Sequence, residues 1–389
     1  MIERIHFENF KSLGDVTLEL GRLTALVGPN GAGKSSVLQG LHLLSQTGLR
    51  KAETPRLGRF SSLFGGARDP RRLLGAQAPA RMRLVMQEGG GDALCLEVAV
   101  PSAGEDDPVG ERLQFEVSVS GLEGSLSTAM PRDGDRAAQV LDHPRIRQFA
   151  SVVYLHLDAK EMTATSIPES ETPRMRYDGH GLASTLAWMK GAREEELELL
   201  TKELARVVPG VRRIRTMRES VVDRHHEKLT VDGQPVWRSI ETTVLGDRFA
   251  LEFENGVSIP ADLLSEGTVL ALGLFAKLHE PRTPRLVLLD DIERGLHLGA
   301  QAKLVQVLRD LLEQSPELQI VCTTHSPYLL DLFNAEEVRV LTLDGQRRTR
   351  ALPLTAHPEF DRWRLGLQTG ELWASVGEAW VSEGTKVQQ

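Results

Sequence analysis

The chain has 389 residues, of which 41% are hydrophobic and 26% are charged, the composition of a globular protein with a full-sized core. A formal net charge of −8 argues against a wholly basic nucleic-acid coat, although it does not exclude a local basic groove. The two cysteines, Cys95 and Cys322, form no metal-spaced pair, which favours a reducing cytosol over a disulfide framework. The sequence has no signal segment and no run of about 18 apolar residues, so we expect a soluble cytoplasmic protein that does not cross a membrane.

Alternating apolar residues predict two half-buried strands at the start of the chain, around residues 5–7 and 16–20. A third strand, LTALV, leads into GPNGAGKSS, and apolar residues at helical spacing predict a helix from Lys34 that ends near Gly48. The stretch 54–80 is rich in Gly, Pro and Arg and is predicted to be a loop. Further strands are predicted at residues 84–87, 94–100, 113–119 and 152–157.

The middle and last thirds of the chain differ in pattern. REEELELLTKELARVV places Leu197, Leu200 and Leu204 on one helix face, and VDG and ENG are hairpin signals in a stranded region at residues 211–260. LVLLD and QIVCTTH are short continuous apolar runs, as in strands that are covered on both faces of a parallel sheet. The helical pattern of AQAKLVQVLRDLLEQ between them predicts a βαβ unit.

The segment GPNGAGKS fits the phosphate-binding pattern G-x-x-x-x-G-K-[ST] between a predicted strand and a predicted helix. Glycines let backbone N–H groups turn towards phosphate, and the helix N-terminus adds the positive end of its dipole. The lysine of such a loop reaches the β- and γ-phosphates, and the serine ligates Mg²⁺. The sequence therefore predicts a nucleoside triphosphate site that begins at Gly28, and Ser35 is also predicted to be a metal ligand. The predicted nucleotide contacts are Asn30, Gly31, Gly33, Lys34, Ser35 and Ser36.

Three further stretches accompany this loop. LLSEGTVLALGLFAKL places Ser265 and Gly267 at the start of an apolar helix, VLLDD puts Asp290 and Asp291 at a strand end, and TTHSPYLL ends a strand at His325. Together with HFENFKSLGDVTLEL, DGHGLASTLAWMK and LARVVPGVRRI, these motifs resemble the ABC-class, AAA-type ATPase heads of the RecF, SMC and OLD families. More closely, the chain resembles the stand-alone OLD-like ATPases often found in bacterial anti-phage systems.

The resemblance implies an α/β fold, namely an ABC/SMC-type ATPase head with a P-loop parallel-sheet core, an antiparallel β subdomain and a helical insertion. We expect residues 1–160 to form the N-terminal part of the head, with the P-loop and the β subdomain. Residues 161–240 would form a helical and basic insertion. Residues 241–350 would form the C-terminal part of the head, with the signature, Walker B and switch histidine, and residues 351–389 a Trp-bearing tail.

The resemblance also implies roles for residues that match the family's motifs. Asp290 resembles the Walker B aspartate that holds Mg²⁺, and Asp291 stands where the family usually has the catalytic glutamate. His325 resembles the switch histidine at the γ-phosphate, and Ser265 and Gly267 resemble the signature loop that reaches ATP on a second subunit. These matches imply ATP and Mg²⁺ as cofactors, and a head-to-tail homodimer or higher even oligomer around ATP.

Three assignments stay open in the sequence. Asp291 is one methylene shorter than glutamate, so either the strand end shifts towards the γ-phosphate, or Glu293 assists, or hydrolysis is slow. We expect Asp291 to be the base, with slow hydrolysis and with Glu293 as a reserve. His297 fits either a family position after Walker B or a helix N-terminus, and Gln77 and Gln87 are both candidates for the glutamine that senses Mg²⁺.

Two arginine-rich stretches, residues 54–87 and 205–218, are candidate contacts to DNA phosphates. The alternative is a solvated surface, or pairing with the chain's many glutamates. His225 and His226 lack Cys or His partners at metal-ligand spacing, so a solvated strand or turn is favoured over a metal site. The candidate DNA contacts are Arg71, Arg72, Arg212, Arg213 and Arg215.

Only 64 residues follow His325 (389 − 325), whereas a catalytic domain normally takes about 100 or more. OLD proteins proper carry a nuclease domain beyond the ATPase, so we expect any nuclease here to be a separate effector protein. The favoured hypothesis is an ATP-dependent switch that gates such a partner or DNA in anti-phage defence. The alternatives are a RecF-like DNA-repair ATPase, a slow or inactive ATPase scaffold for a separate nuclease and, ranked below these, a transporter's cytosolic ATPase.

Overall fold

The computed structural model describes residues 1–47, 80–86, 94–100, 116–120, 126–129, 152–168, 170–231, 234–280 and 285–384. The chain forms two compact units. The first comprises residues 1–154, 284–293 and 308–389, and the second comprises residues 155–283 and 294–307.

The secondary structure of the described residues is mixed. The strands are β1 (Ile2–Phe10), β2 (Leu13–Glu19), β3 (Leu23–Val27), β4 (Ala80–Met86), β5 (Leu94–Val100), β6 (Glu116–Ser120), β7 (Leu126–Ala129), β8 (Val152–Leu155), β9 (Val211–Val231), β10 (Gln234–Phe253), β11 (Ser258–Pro260), β12 (Leu286–Leu289), β13 (Gln319–Thr323), β14 (Val338–Leu343) and β15 (Thr349–Pro353). The helices are α1 (Lys34–Thr47), α2 (Ala159–Thr163), α3 (Leu182–Ala192), α4 (Glu194–Val207), α5 (Glu266–Leu278), α6 (Leu298–Gln314), α7 (Pro327–Leu330), α8 (Phe360–Trp363), α9 (Thr369–Val376) and α10 (Ala379–Gly384).

An antiparallel sheet in the first unit has the strand order β2-β1-β4-β5-β6-β7. The alternation at the start of the chain buries Ile5 and Phe7 on one face of β1. The strand predicted at residues 94–100 has those bounds, whereas the one predicted at 84–87 runs from Ala80 to Met86. Of the loop predicted at residues 54–80, residues 54–79 lie outside the described residues, and Ala80 begins β4.

A second sheet of six strands has the order β15-β14-β3-β13-β12-β8 and carries the parallel core. β12 pairs in parallel with β13, β13 with β3, and β3 with β14. Every residue of β3, β12 and β13 is buried, as expected for strands covered on both faces. Because these three strands are parallel neighbours, their carboxyl ends lie side by side at one edge of the sheet. The predicted α/β fold class, with a parallel-sheet core and an antiparallel β subdomain, is confirmed.

The second unit contains a long two-stranded ribbon. β9 and β10, with 21 and 20 residues, pair antiparallel along nearly their whole lengths, and β11 joins β10 only at residues 250–252. The sequence predicted strands and turns in this region but not strands of this length. In α4, the predicted apolar face is buried at Leu197, Leu200 and Leu204.

None of the helices in the described part of the chain is long and apolar enough to cross a membrane.

The buried strand β12 offers a direct test of what holds the parallel core together. Leu288 is fully buried, so Leu288→Ala should lower the free energy of unfolding by about 2 to 5 kcal/mol, since it removes apolar contacts and leaves a cavity. Leu365 is 85% exposed, and Leu365→Ala should change stability by less than about 0.5 kcal/mol. Urea unfolding followed by circular dichroism measures both, and an equal loss in the two variants would contradict this packing.

Candidate functional site

The phosphate loop joins the end of β3 to the start of α1. Gly28 has a φ of +140°, and a Cβ there would lie 2.0 Å from the carbonyl oxygen of Leu341 in β14. Gly33 has a φ of +101°, and a Cβ there would lie 2.4 Å from the Oγ1 of Thr349 in β15. A side chain at either position would therefore collide with the neighbouring strand in a backbone conformation that already favours glycine.

The hydroxyl of Thr349, which lies outside the phosphate loop, also stabilises the loop conformation. Thr349 Oγ1 donates a hydrogen bond to the carbonyl oxygen of Ala32 at 2.9 Å and lies 2.9 Å from Ser12 Oγ. The Thr349 N–H donates to the backbone oxygen of Ser12 at 2.8 Å. The loop conformation thus depends on β15 and on the β1–β2 turn, neither of which belongs to the phosphate-binding motif.

The Lys34 side chain folds back over its own loop. Its Nζ donates to the carbonyl oxygens of Gly28 at 2.8 Å and Pro29 at 3.1 Å, and the residue is only 6% exposed. Burial lowers the pKa of Lys34 below its ordinary value, while the carboxylates of Asp291 and Asp290 act in the opposite direction. Of the other predicted nucleotide contacts, two are exposed and two are half-buried: Asn30 and Gly31, then Ser35 and Ser36.

Hydroxyl groups surround the carboxylate of Asp290, which follows β12. Ser35 Oγ donates to its Oδ1 at 3.1 Å and Thr323 Oγ1 donates to the same oxygen at 2.7 Å. Tyr154 OH donates to Oδ2 at 3.4 Å. Ser35 and Asp290 thus present hard oxygen ligands side by side, which suits Mg²⁺, a cation that keeps several waters and takes few protein ligands. Within the described ranges, no three His, Cys, Asp or Glu residues group as a metal site.

Asp291 has an unusual backbone. Its φ is +50°, in the left-handed region, which Asp tolerates better than most residues. Its N–H donates to Thr323 Oγ1 at 2.8 Å, and the next N–H, that of Ile292, donates to the Thr323 carbonyl oxygen at 3.2 Å. The carboxylate is 49% exposed, and its Oδ1 lies 4.0 Å from Nε2 of His325. The chain therefore turns out of the sheet at Asp291, where the acid is open to solvent beside the histidine.

Glu293 contacts the backbone that carries the histidine. Its Oε1 accepts a hydrogen bond from the N–H of His325 at 2.6 Å. Its Oε2 is buried and has no hydrogen-bond partner among the described residues. Two residues after His325, α7 begins, with Ser326 as N-cap and Pro327 in the first turn. The structure thus brings Ser35, Asp290, Asp291, Glu293 and His325 to one edge of the sheet.

The residues predicted to form the signature loop lie in the second unit, at the start of α5. Ser265 is the N-cap, is exposed, and accepts a hydrogen bond from the Thr268 N–H at 3.3 Å. Gly267 is buried, and a Cβ there would lie 2.1 Å from the carbonyl oxygen of Gly295, whose φ is +69°. Glu266 pairs with Arg294 at 3.0 Å. Gly267 therefore allows the backbone after Walker B to pack closely against the start of α5, a contact that the sequence did not indicate.

His297 lies just before α6, and its Nδ1 accepts a hydrogen bond from the Gly299 N–H at 3.3 Å. It therefore occupies a helix N-terminus, one of its two predicted positions. His225 and His226 lie in β9, where their backbones pair with Ile240 and Ser239.

The arginines at the start of β9 are partly paired. Arg215 hydrogen-bonds Glu252, and Arg212 lies 3.9 Å from the same carboxylate. The hydrogen bond from Arg215, with the charges of Arg212 and Arg213, lowers the pKa of Glu252. Arg218 likewise lies 3.5 Å from the buried Asp247. Four predicted residues lie outside the described ranges: Arg71, Arg72, Gln77 and Gln87.

Three residues at or around the site were missed by sequence reasoning: Tyr154, Thr323 and Thr349. Thr323 stands in the quoted TTHSP, two positions before His325, and its place at a strand end could have marked it. Tyr154 and Thr349 carry no such local signal, because their contacts depend on which strands are neighbours.

Two family models match the chain. One, described as "AAA domain, putative AbiEii toxin, Type IV TA system", matches residues 168–331, and the other, described as "AAA ATPase domain", matches residues 1–77. An OLD nuclease of Thermus scotoductus (strain ATCC 700910 / SA-01) is 22% identical over 371 residues, which cover 90% of this chain and 63% of the nuclease. The chain thus spans less than two thirds of that relative's length.

Solved structures of SMC heads share the fold. An SMC head bound to the C-terminal winged-helix domain of ScpA has a TM-score of 0.55 and 16% identity, covering 90% of this chain and 96% of that one. An SMC head with an extended coiled coil, bound to the C-terminal domain of ScpA from Pyrococcus furiosus, has a TM-score of 0.53 and 11% identity, covering 90% and 95%.

A half-buried histidine on the phosphate-loop helix gives a pH-dependent test of this region. His42, in α1, lies with its ring 5.4 Å from that of Tyr154, and burial lowers its pKa to about 4. An unfolded histidine titrates near pH 6.5, so between pH 6.5 and 4 the unfolded chain binds more protons than the folded chain, and stability falls as the pH falls.

Replacing the group should remove that part of the pH dependence. Over this window wild type should lose about 2 to 3 kcal/mol more stability than His42→Phe, as measured by urea unfolding at half-unit pH steps. Parallel pH profiles for the two proteins would show that His42 is not held neutral.

Proposed function

We propose that this chain, which is similar in sequence and fold to AAA/ABC-type ATPases of the OLD/SMC kind, binds ATP with Mg²⁺ and hydrolyses it slowly. One observation carries the proposal. The phosphate-loop lysine, the two aspartates and the histidine follow three adjacent parallel strands and meet at one sheet edge. In open α/β sheets, ligands bind outside the carboxyl ends of the strands.

Each residue at the edge has a chemical role in this proposal. Lys34 releases its loop carbonyls to bind phosphate oxygens, joined by the backbone N–H groups of residues 30–36. Ser35 and Asp290 hold Mg²⁺, which when bound offsets phosphate charge. Asp291, whose carboxylate is 49% exposed, orients the attacking water and accepts its proton. His325 contacts the γ-phosphate, and Glu293 fixes the backbone of that histidine.

Slow hydrolysis follows from the geometry of Asp291. An aspartate reaches one methylene less far than a glutamate, so the water must come closer to the strand end. The left-handed turn at Asp291 projects this residue out of the sheet and partly offsets the shorter reach. We assign the base to Asp291 rather than to Glu293, because an oxygen of Glu293 is already engaged by the His325 N–H at 2.6 Å.

Head-to-tail dimerisation around ATP is the second part of the proposal. The exposed Ser265 at the N-terminus of a 13-residue helix offers a hydroxyl and a helix dipole to an anion. We assign Ser265 and Gly267 to the nucleotide bound by the other copy of the chain. The ATP cycle would then open and close the dimer, or a higher even oligomer.

The cycle is proposed to gate a separate effector protein, such as a nuclease, in anti-phage defence. Support comes from the OLD nuclease relative and from the toxin–antitoxin description of one matching family. The competing proposals are a RecF-like DNA-repair ATPase and an inactive scaffold for a nuclease. ATP turnover with and without DNA and the products of neighbouring genes separates them, because DNA stimulation alone favours repair and absent turnover favours the scaffold.

DNA contact is proposed for the arginines of β9, among them Arg212, Arg213 and Arg215. The ion pairs to Glu252 leave less net positive charge there than the sequence indicated. Any binding should therefore be weak, independent of sequence and steeply salt-dependent.

Variants of the site should separate nucleotide binding from hydrolysis. Lys34→Ala should abolish binding of a fluorescent ATP analogue, because it removes the phosphate-loop cation. Asp291→Asn should still bind Mg·ATP but hydrolyse it at least about 100-fold more slowly, a loss at the lower end expected for a general base, and should accumulate as an ATP-bound dimer in light scattering. Asp361 is 88% exposed at its side chain, and Asp361→Asn serves as the matched control. Normal turnover by Asp291→Asn would show that the base is misassigned.

Mixing two inactive variants tests whether each site uses both chains. Lys34→Ala and Ser265→Arg should each be inactive alone, but their heterodimer has one site with Lys34 from one chain and Ser265 from the other. An equal mixture should regain roughly a quarter of wild-type activity, since half the dimers are mixed and each has one good site of two. Mixing Lys34→Ala with the Lys34→Ala/Ser265→Arg double variant is the control. The control mixture contains no intact Lys34 and should stay inactive. Failure of the first mixture to recover activity would contradict the shared site.

A further inference from the structure

We propose that Thr323, which no motif assigns, is a positioning residue that sets the geometry of both Asp290 and Asp291. The inference rests on the proposed ATPase function and deepens it. Thr323 ends β13 and is fully buried, so its hydroxyl is not a surface group that solvent could replace. Among the described residues, its hydroxyl makes no hydrogen bond to the phosphate loop.

The hydroxyl of Thr323 both donates and accepts a hydrogen bond. It accepts the N–H of Asp291 at 2.8 Å and donates to Oδ1 of Asp290 at 2.7 Å. A threonine hydroxyl has one proton and two lone pairs, so it can satisfy both contacts together. Its single proton goes to Asp290, because Oδ1 of Asp291 is farther, at 3.5 Å. The Thr323 Oγ1 atom therefore fixes both the carboxylate of Asp290 and the backbone of Asp291.

The backbone of Thr323 adds a second connection to the same turn. Regular pairing of β12 with β13 ends at Leu289 and Cys322, just before the two aspartates. Beyond that point, the Ile292 N–H donates to the Thr323 carbonyl oxygen at 3.2 Å. Thr323 thus stabilises the left-handed conformation of Asp291 through two hydrogen bonds. Its hydroxyl accepts the N–H of Asp291, and its carbonyl oxygen accepts the N–H of Ile292.

The carboxylate of Asp290 depends on the same hydroxyl for its orientation. Thr323 and Ser35 both donate to Oδ1, while Tyr154 donates to Oδ2. Without the Thr323 hydroxyl, Oδ1 loses its 2.7 Å hydrogen bond, which is shorter than the 3.1 Å hydrogen bond from Ser35. The carboxylate can then rotate away from Ser35, which should weaken the response to Mg²⁺, and Asp291 loses the partner of its N–H.

The test compares Thr323→Val, which removes the hydroxyl at nearly constant volume, with Thr323→Ser, which keeps it. Thr24→Val is the matched control, because Thr24 is a fully buried threonine in the adjacent β3 whose hydroxyl accepts only the Gly21 N–H at 2.9 Å. Each protein is assayed for thermal stability, ATP turnover, and the Mg²⁺ concentration that half-saturates turnover and binding of a fluorescent ATP analogue.

We expect Thr323→Val to lose at least tenfold in kcat and to need at least threefold more Mg²⁺, with Thr323→Ser within threefold of wild type. Thr24→Val should match Thr323→Val in stability loss but keep the wild-type kcat and Mg²⁺ response. Wild-type kcat and Mg²⁺ response in Thr323→Val would overturn the inference. If wild type binds the analogue but does not hydrolyse ATP, the proposed hydrolysis fails, and the Mg²⁺ dependence of binding alone decides the role of Thr323.

Discussion

Parallel pairing of β3, β13 and β12 is the constraint on which the candidate site depends. Because the three strands are neighbours with the same direction, the residues that follow them must emerge at one edge. That single fact brings the phosphate loop, the aspartates and the histidine together, although more than 250 residues separate Ser35 from Asp290 in the chain. The continuous burial of the three strands fixes their register, since a shift would expose apolar side chains or bury charged ones.

At this edge the three acids differ in what they contact. Asp290 is surrounded by hydroxyl donors, Asp291 stands open beside His325, and Glu293 is tied to the histidine backbone. Lys34 lies close enough for these carboxylates to oppose the effect of burial on its pKa. The three carboxylates are therefore arranged around the Lys34 ammonium and a set of neutral hydroxyl donors. This arrangement suits the binding of a polyphosphate together with its metal ion.

Much of this could be predicted from the sequence, because the informative signals are local. The glycines of the phosphate loop lie within a few positions of one another, so a short stretch of sequence reveals the loop. The apolar runs of β12 and β13 likewise predict buried parallel strands. The contacts of Tyr154 and Thr349 left no such signal, because these residues act on partners 136 and 317 positions away in the chain. The strand-end position of Thr323 could have marked that residue, but not the two aspartates that its hydroxyl contacts. The left-handed turn at Asp291 and the close packing of Gly267 against Gly295 were missed for the same reason. The length of the β9–β10 ribbon was missed because mixed polar and apolar residues resemble several short strands.

A single-turnover experiment tests the central claim most directly. Protein in excess over γ-labelled ATP is mixed with Mg²⁺, and bound nucleotide and released phosphate are followed over time. The site described above predicts that ATP binds and that its γ-phosphate is released completely when Mg²⁺ is present, and not in EDTA. Failure to bind ATP, or ATP that stays bound and intact with Mg²⁺, would contradict the account of this sheet edge as a hydrolytic site.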